Sequence, residues 1–141
     1  MRKGLLSVVV GCFLLVGFSA SGHGAGHGAG AGFIEQESIN GILVMTGGMG
    51  IDEREQMKAM ADPYNLKLEF AVESGSYLAG VSFSVETAAG DELMKKEGAG
   101  PWAYLDLSPG SYVVKAWRGD ELRAYPVEVA RDRQTVILHW N

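Results

Sequence analysis

Apolar and polar residues alternate through much of this chain. In Leu66-Lys67-Leu68-Glu69-Phe70 every second position is apolar, the pattern of a strand with one buried face. Val81, Phe83 and Val85 repeat it against Ser82, Ser84 and Glu86, and Val136, Leu138 and Trp140 repeat it against Thr135, Ile137 and His139. Further runs fall at Ile42–Thr46, Glu92–Lys96, Tyr104–Leu107, Tyr112–Trp117 and Leu122–Val129. Turn residues separate them at Ala89-Gly90-Asp91, Ser108-Pro109-Gly110, Arg118-Gly119-Asp120 and Arg131-Asp132-Arg133. About seven to eight short strands at this spacing predict a mainly β protein built as a sandwich. Pro126 cannot donate to a ladder, which assigns it to an edge strand or a bulge.

One segment breaks the alternation. Asp52 is placed to cap a helix and Glu55 to complete a capping box. Met57, Met60 and Ala61 share a face of that helix, Gln56 and Lys58 flank it, and Pro63 ends it by biasing Asp62 away from helical geometry. The preceding Gly47-Gly48-Met49-Gly50 reads as a flexible hinge. The prediction is one short helix between the first two strands, Ile42–Thr46 and Leu66–Phe70.

The chain start has a different character. Met1-Arg2-Lys3 is basic and residues 5–18 form an apolar run of 14, short for a membrane span and right for the core of a signal peptide. Small residues follow, and cleavage after Gly22 sets Ala20 at the −3 position. Val9-Val10-Gly11-Cys12 resembles a lipoprotein box, but Phe13-Leu14-Leu15-Val16 continues the apolar run where a polar linker should follow, which argues against acylation of Cys12. Residues 23–32 contain only Gly, Ala and two His, a composition that forms a flexible linker. The expected organisation is a signal peptide over 1–22, a linker over 23–32 and a β-sandwich domain over 33–141.

Charge narrows the partners. Of 141 residues, 17 are acidic and 12 basic, a formal charge of −5; signal removal would take Arg2 and Lys3 and leave −7. Without a basic tract, nucleic acid and anionic membrane are poor ligands, and no stable membrane insertion is expected once the signal is gone. A single Cys excludes an internal disulfide and a cysteine-based zinc site.

Leu107-Ser108-Pro109-Gly110-Ser111-Tyr112-Val113-Val114 resembles the "L-x-P-G-x-Y-x-V" hairpin of carboxypeptidase-regulatory-like and transthyretin-like sandwich domains. Gly47–Glu53, Tyr64–Ala71, Tyr77–Val81, Gly100-Pro101-Trp102 and the terminal aromatic strand extend the likeness to small bacterial periplasmic proteins of that type, over Gly41 to Trp140. The resemblance implies a prealbumin-like sandwich, a periplasmic location and a non-catalytic accessory role. The histidine-containing tail lies outside it.

Candidate chemistry is sparse. Cleavage after Gly22 would make His23 the N-terminus, whose amine and imidazole could chelate copper with His27 as a further ligand. A Gly-Ala repeat does not hold the two at fixed spacing, so a linker that happens to contain His is the simpler reading. Met45, Met49, Met57 and Met60 are soft donors, more simply explained as core filling. Asp52, Glu53 and Glu55 already serve the positive end of a helix. Neither a nucleophile elbow nor a phosphate loop is present. The aromatics remain: Trp102 in a loop after Gly100-Pro101, and Trp117 on the face opposite Tyr112 and Val114, both suited to stacking or to anchoring an interface. Trp102 serves equally well as a cap on the sandwich. The sequence thus predicts a monomeric, exported, cofactor-free module that binds a protein or an envelope component, with copper binding through the tail as the alternative.

Overall fold

Nine strands and one helix make up residues 34–141, which the computed structural model describes. The expected signal peptide and linker, with Cys12, His23 and His27, lie outside the described residues. β1 (Glu35–Ile39), β2 (Ile42–Gly47), β6 (Trp102–Leu105), β3 (Leu66–Val72) and β9 (Gln134–Trp140) form one sheet in that order. β5 (Glu92–Ala99), β4 (Val81–Thr87), β7 (Gly110–Arg118) and β8 (Glu121–Val129) form the other. All neighbours are antiparallel except β3 and β9, which run parallel.

The alternating positions define the core between the sheets. Leu66, Leu68 and Phe70 of β3 meet Val81, Phe83 and Val85 of β4, Val114 and Ala116 of β7, and Val136, Leu138 and Trp140 of β9. Tyr112 packs at the margin of this core and its hydroxyl donates to the Ser108 carbonyl at 2.5 Å, bracing the turn that carries the chain from β6 in one sheet to β7 in the other. The hairpin expected at Ser108-Pro109-Gly110 is a crossover between the sheets, because β6 and β7 do not pair. Pro126 sits on β8, an edge strand, where its missing N–H costs no internal ladder bond.

A second apolar cluster lies on the outer face of the five-stranded sheet. It comprises Met45, Met57, Ala61, Tyr64, Trp102 and Tyr104, roofed by helix α1 (Ile51–Ala59). Every residue of β6 is buried, because Ala103 and Leu105 face the first core while Trp102 and Tyr104 face the second.

Several local expectations change. An additional strand, β1, precedes the opening strand, so α1 follows a hairpin; four of its five residues are exposed, and no alternation marks it. The strand expected at Tyr104–Leu107 is Trp102–Leu105. Gly50, not Asp52, occupies the N-cap of α1, without a side-chain cap bond. Met60 is 37% exposed, so Met57 and Ala61 alone carry the buried stripe.

The glycine run is pinned, not a loose hinge. Glu53 Oε1 accepts from the Gly48 N–H, and Arg54 Nη1 donates to the Gly48 carbonyl, both at 2.8 Å. Gly48 has φ +94°, which favours glycine. A Cβ on Gly100 would stand 2.5 Å from the Gly47 carbonyl oxygen, so the two backbones meet only because Gly100 has no side chain.

Polar groups close the sandwich at its margins. Lys96 of β5 reaches across to Glu35 at 2.8 Å and Glu37 at 2.7 Å of β1. On the opposite side Trp140 Nε1 donates to the Glu121 carbonyl and Arg123 Nε to the His139 carbonyl, joining β8 to β9. At one end, buried Asn65 donates to the carbonyls of Leu107 and Ala130 and accepts from the Leu107 N–H, tying two loops to the start of β3.

Two outcomes follow from these ties. At about 1 kcal/mol per hydrogen bond, Asn65→Ala should cost about 3 kcal/mol and lower Tm by more than about 10 °C in thermal denaturation. Lys96 has its pKa raised, chiefly by its hydrogen bond to Glu35 and then by that to Glu37. A raised folded pKa gives stability that is fully present below the unfolded value and lost as pH rises through the folded one. The stability difference between wild type and Lys96→Met should therefore be steady in the neutral range and shrink above the ordinary lysine value of about 10.4, as followed by denaturant melts across pH.

Candidate functional site

The two sheets present different outer faces, and each carries one of the tryptophans singled out in the sequence. On the five-stranded sheet, Trp102 is 4% exposed, enclosed by the second cluster and packed edge-on against Tyr77 and Tyr104. Lys67 Nζ stands 3.2 Å from the centre of its ring and pairs with Glu69 at 3.3 Å. Burial pushes the Lys67 ammonium below its ordinary pKa, against the opposing pull of Glu69. Arg54 lies 5.0 Å from the Tyr77 ring centre, and Arg133 holds the Ala61 and Tyr64 carbonyls beyond the helix end. These cations are occupied with rings, backbone carbonyls and Glu69. They fasten α1 and its loops over the sheet, and Trp102 is a structural element beneath them. Burial also raises the Tyr104 pKa, so the phenol stays neutral.

The four-stranded sheet is different. Among the described residues, no helix or strand lies over its outer face. β4 and β7 run through its centre, and their outward residues are set by register. Ser84 stands between Lys95 of β5 and Lys115 of β7; Ser82 stands beside Trp117, which in turn faces Leu122 of β8. Trp117 is half-buried and Leu122 is 44% exposed. Lys95 Nζ lies 5.3 Å above the Trp117 ring centre, and Lys115 pairs with Glu86 at 3.0 Å. Ser84 is fully buried between its neighbours, and its hydroxyl has no hydrogen-bond partner among the described residues. An unpaired buried polar group of this kind costs about 1–3 kcal/mol.

Sequence parity alone puts Trp117 opposite Tyr112 and Val114. Lys95, Lys115 and Ser84 were not legible as its companions, because each reads as an ordinary solvent-facing position until the register of three strands is known.

Other features offer less. A groove of about 540 Å³ opens at one end of the sandwich, lined by Asp62, Asn65, Asp106, Ser108 and Arg131 among others. Asp62 and Asp106 are exposed, so water solvates both carboxylates, and Asn65 is committed to its loop contacts. His139 is exposed on β9. Among the described residues, no three His, Cys, Asp or Glu side chains converge where a metal ion could be held. Comparison with protein-family models and with curated proteins gives no match to the chain.

If the cluster around Trp102 is structural, its ion pair should be replaceable by apolar groups of similar size. The double variant Lys67→Met/Glu69→Leu is expected to unfold within about 1 kcal/mol of wild type, whereas Glu69→Leu alone, which leaves the half-buried ammonium without its partner, should be destabilised in the same denaturant melt.

Proposed function

We propose that the chain is an exported, non-catalytic interaction module, monomeric and periplasmic, that binds a protein or envelope component through the outer face of its four-stranded sheet. The observation that carries this reading is Trp117. A half-buried indole near the end of the central strand β7, beside exposed Leu122, presents a rigid aromatic contact at little entropic cost. On the five-stranded sheet the tryptophan, Trp102, is buried beneath α1 with Met45, Tyr64 and Tyr104, and the exposed apolar residues of that side, Leu43, Tyr77 and Ile137 among them, include no indole.

The family reading supports the same role. The two-sheet sandwich is the architecture expected from the likeness to carboxypeptidase-regulatory-like domains, with the Pro-Gly segment crossing between the sheets and braced by Tyr112. In such a module the loops and the sheet hold a surface, and no reacting group is needed. The basic start and apolar run of residues 1–18 support export.

Co-sedimentation with an isolated bacterial envelope fraction tests the proposal. Wild-type protein should pellet saturably, Trp117→Ala should lose at least about tenfold in apparent affinity, the scale of a central aromatic anchor, and Lys67→Met/Glu69→Leu should behave as wild type. Equal pelleting by Trp117→Ala and wild type would contradict the proposed face.

A further inference from the structure

We propose that the Trp117 face recognises an acidic saccharide, with the indole stacking on a sugar ring and Lys95 and Ser84 holding the carboxylate. The inference rests on the reading that this face is the binding surface, and it names the chemistry of the ligand.

Charge gives the first part. Lys115 is neutralised by Glu86 at 3.0 Å. Among the described residues Lys95 makes no ion pair, and its exposed ammonium only rests over the Trp117 ring. An acidic chain therefore keeps one unspent cation at its most accessible tryptophan. A cation held near a ring at 5.3 Å is loosely engaged. It can turn to a carboxylate beside the ring without breaking any other bond.

The polar groups give the second part. Ser84 is fully buried with an unpartnered hydroxyl, flanked in register by Lys95 and Lys115. That hydroxyl can donate to an anionic oxygen once the lysine stems part, and its lost desolvation energy is then recovered. Glu86 adds an acceptor on the same face. Sugar hydroxyls require acceptors as well as donors around a stacking surface, and this face supplies both. Glu86 repels the carboxylates of an acidic peptide and of a uronate alike, but the saccharide also has hydroxyls that donate to Glu86, and an acidic peptide side chain has none. From Val113 to Trp117, β7 offers about 13 Å of strand, which suits an oligomer better than a single sugar.

The decisive experiment is calorimetric titration of the full exported chain with galacturonate and mannuronate tetramers, using maltotetraose as the neutral reference and hexaglutamate as the acidic peptide. Saturable binding of at least one uronate tetramer is expected, with no comparable binding of maltotetraose or hexaglutamate. Trp117→Ala should abolish it, and Lys95→Gln should weaken it about tenfold, the scale of one charge-assisted hydrogen bond. Ser84→Ala should weaken it several-fold while leaving Tm unchanged or raised. Lys95 is exposed, so its variant keeps the proposal testable if the Trp117 variant fails to fold. The proposal is overturned if neither tetramer binds, if maltotetraose or hexaglutamate binds as well, or if Lys95→Gln binds with wild-type affinity. Envelope binding that depends on Trp117 without any uronate binding would remove the ligand class and leave the interaction module standing; loss of both would remove the two together.

Discussion

Strand β6 is buried on both faces, and that constraint shapes the rest of the molecule. Trp102-Ala103-Tyr104-Leu105 sends Ala103 and Leu105 into the space between the sheets and Trp102 and Tyr104 to the opposite side. A strand with large aromatics on its outer face needs a second cover. Helix α1 supplies it through Met57, with Ala61 just beyond the helix end, and the glycine run brings the chain from β2 into that helix at close quarters. Gly47 and Gly100 touch backbone to backbone, and Glu53 and Arg54 pin Gly48 from the first turn of the helix. The helix is weakly amphipathic, with one buried residue within its span, so these pins and Arg133 beyond its end hold it in place.

Covering one sheet leaves the other bare, and the two tryptophans separate accordingly. Trp102 and Trp117 have the same intrinsic capacity for stacking and for cation–π contact, and each has a lysine against its ring. What distinguishes them is their surroundings. Lys67 is half-buried, paired with Glu69 and held close; Lys95 is exposed, unpaired within the described residues and distant. The first arrangement is packing and the second leaves both partners available to a ligand.

Much of this was legible in the sequence, for reasons that can be stated residue by residue. β3, β4 and β9 alternate because each faces one core on one side, and Trp140 could be assigned inward from Val136 and Leu138. Trp117 could be assigned outward by parity with Tyr112 and Val114. β1 was illegible because Glu35-Gln36-Glu37-Ser38 is an exposed edge, held by ladder bonds and by Lys96, neither of which leaves an apolar signature. Asp52 looked like a cap because capping is inferred from side-chain type, whereas Gly50 takes that position in an extended conformation. Asn65 carried no signal, since its three hydrogen bonds run to backbone groups of loops distant in the chain. The Ser84–Lys95–Lys115 grouping likewise exists only through pairing of three strands.

Hydroxyl-radical footprinting of the full chain, with and without a saturating bacterial envelope fraction, tests the central claim most directly. Trp117 and Leu122 are expected to lose reactivity on binding, while exposed Met49, Met60 and Tyr77 around the helix-covered face keep theirs. Protection of Met49, Met60 and Tyr77 with Trp117 unchanged would contradict the account and move the binding surface to the other sheet.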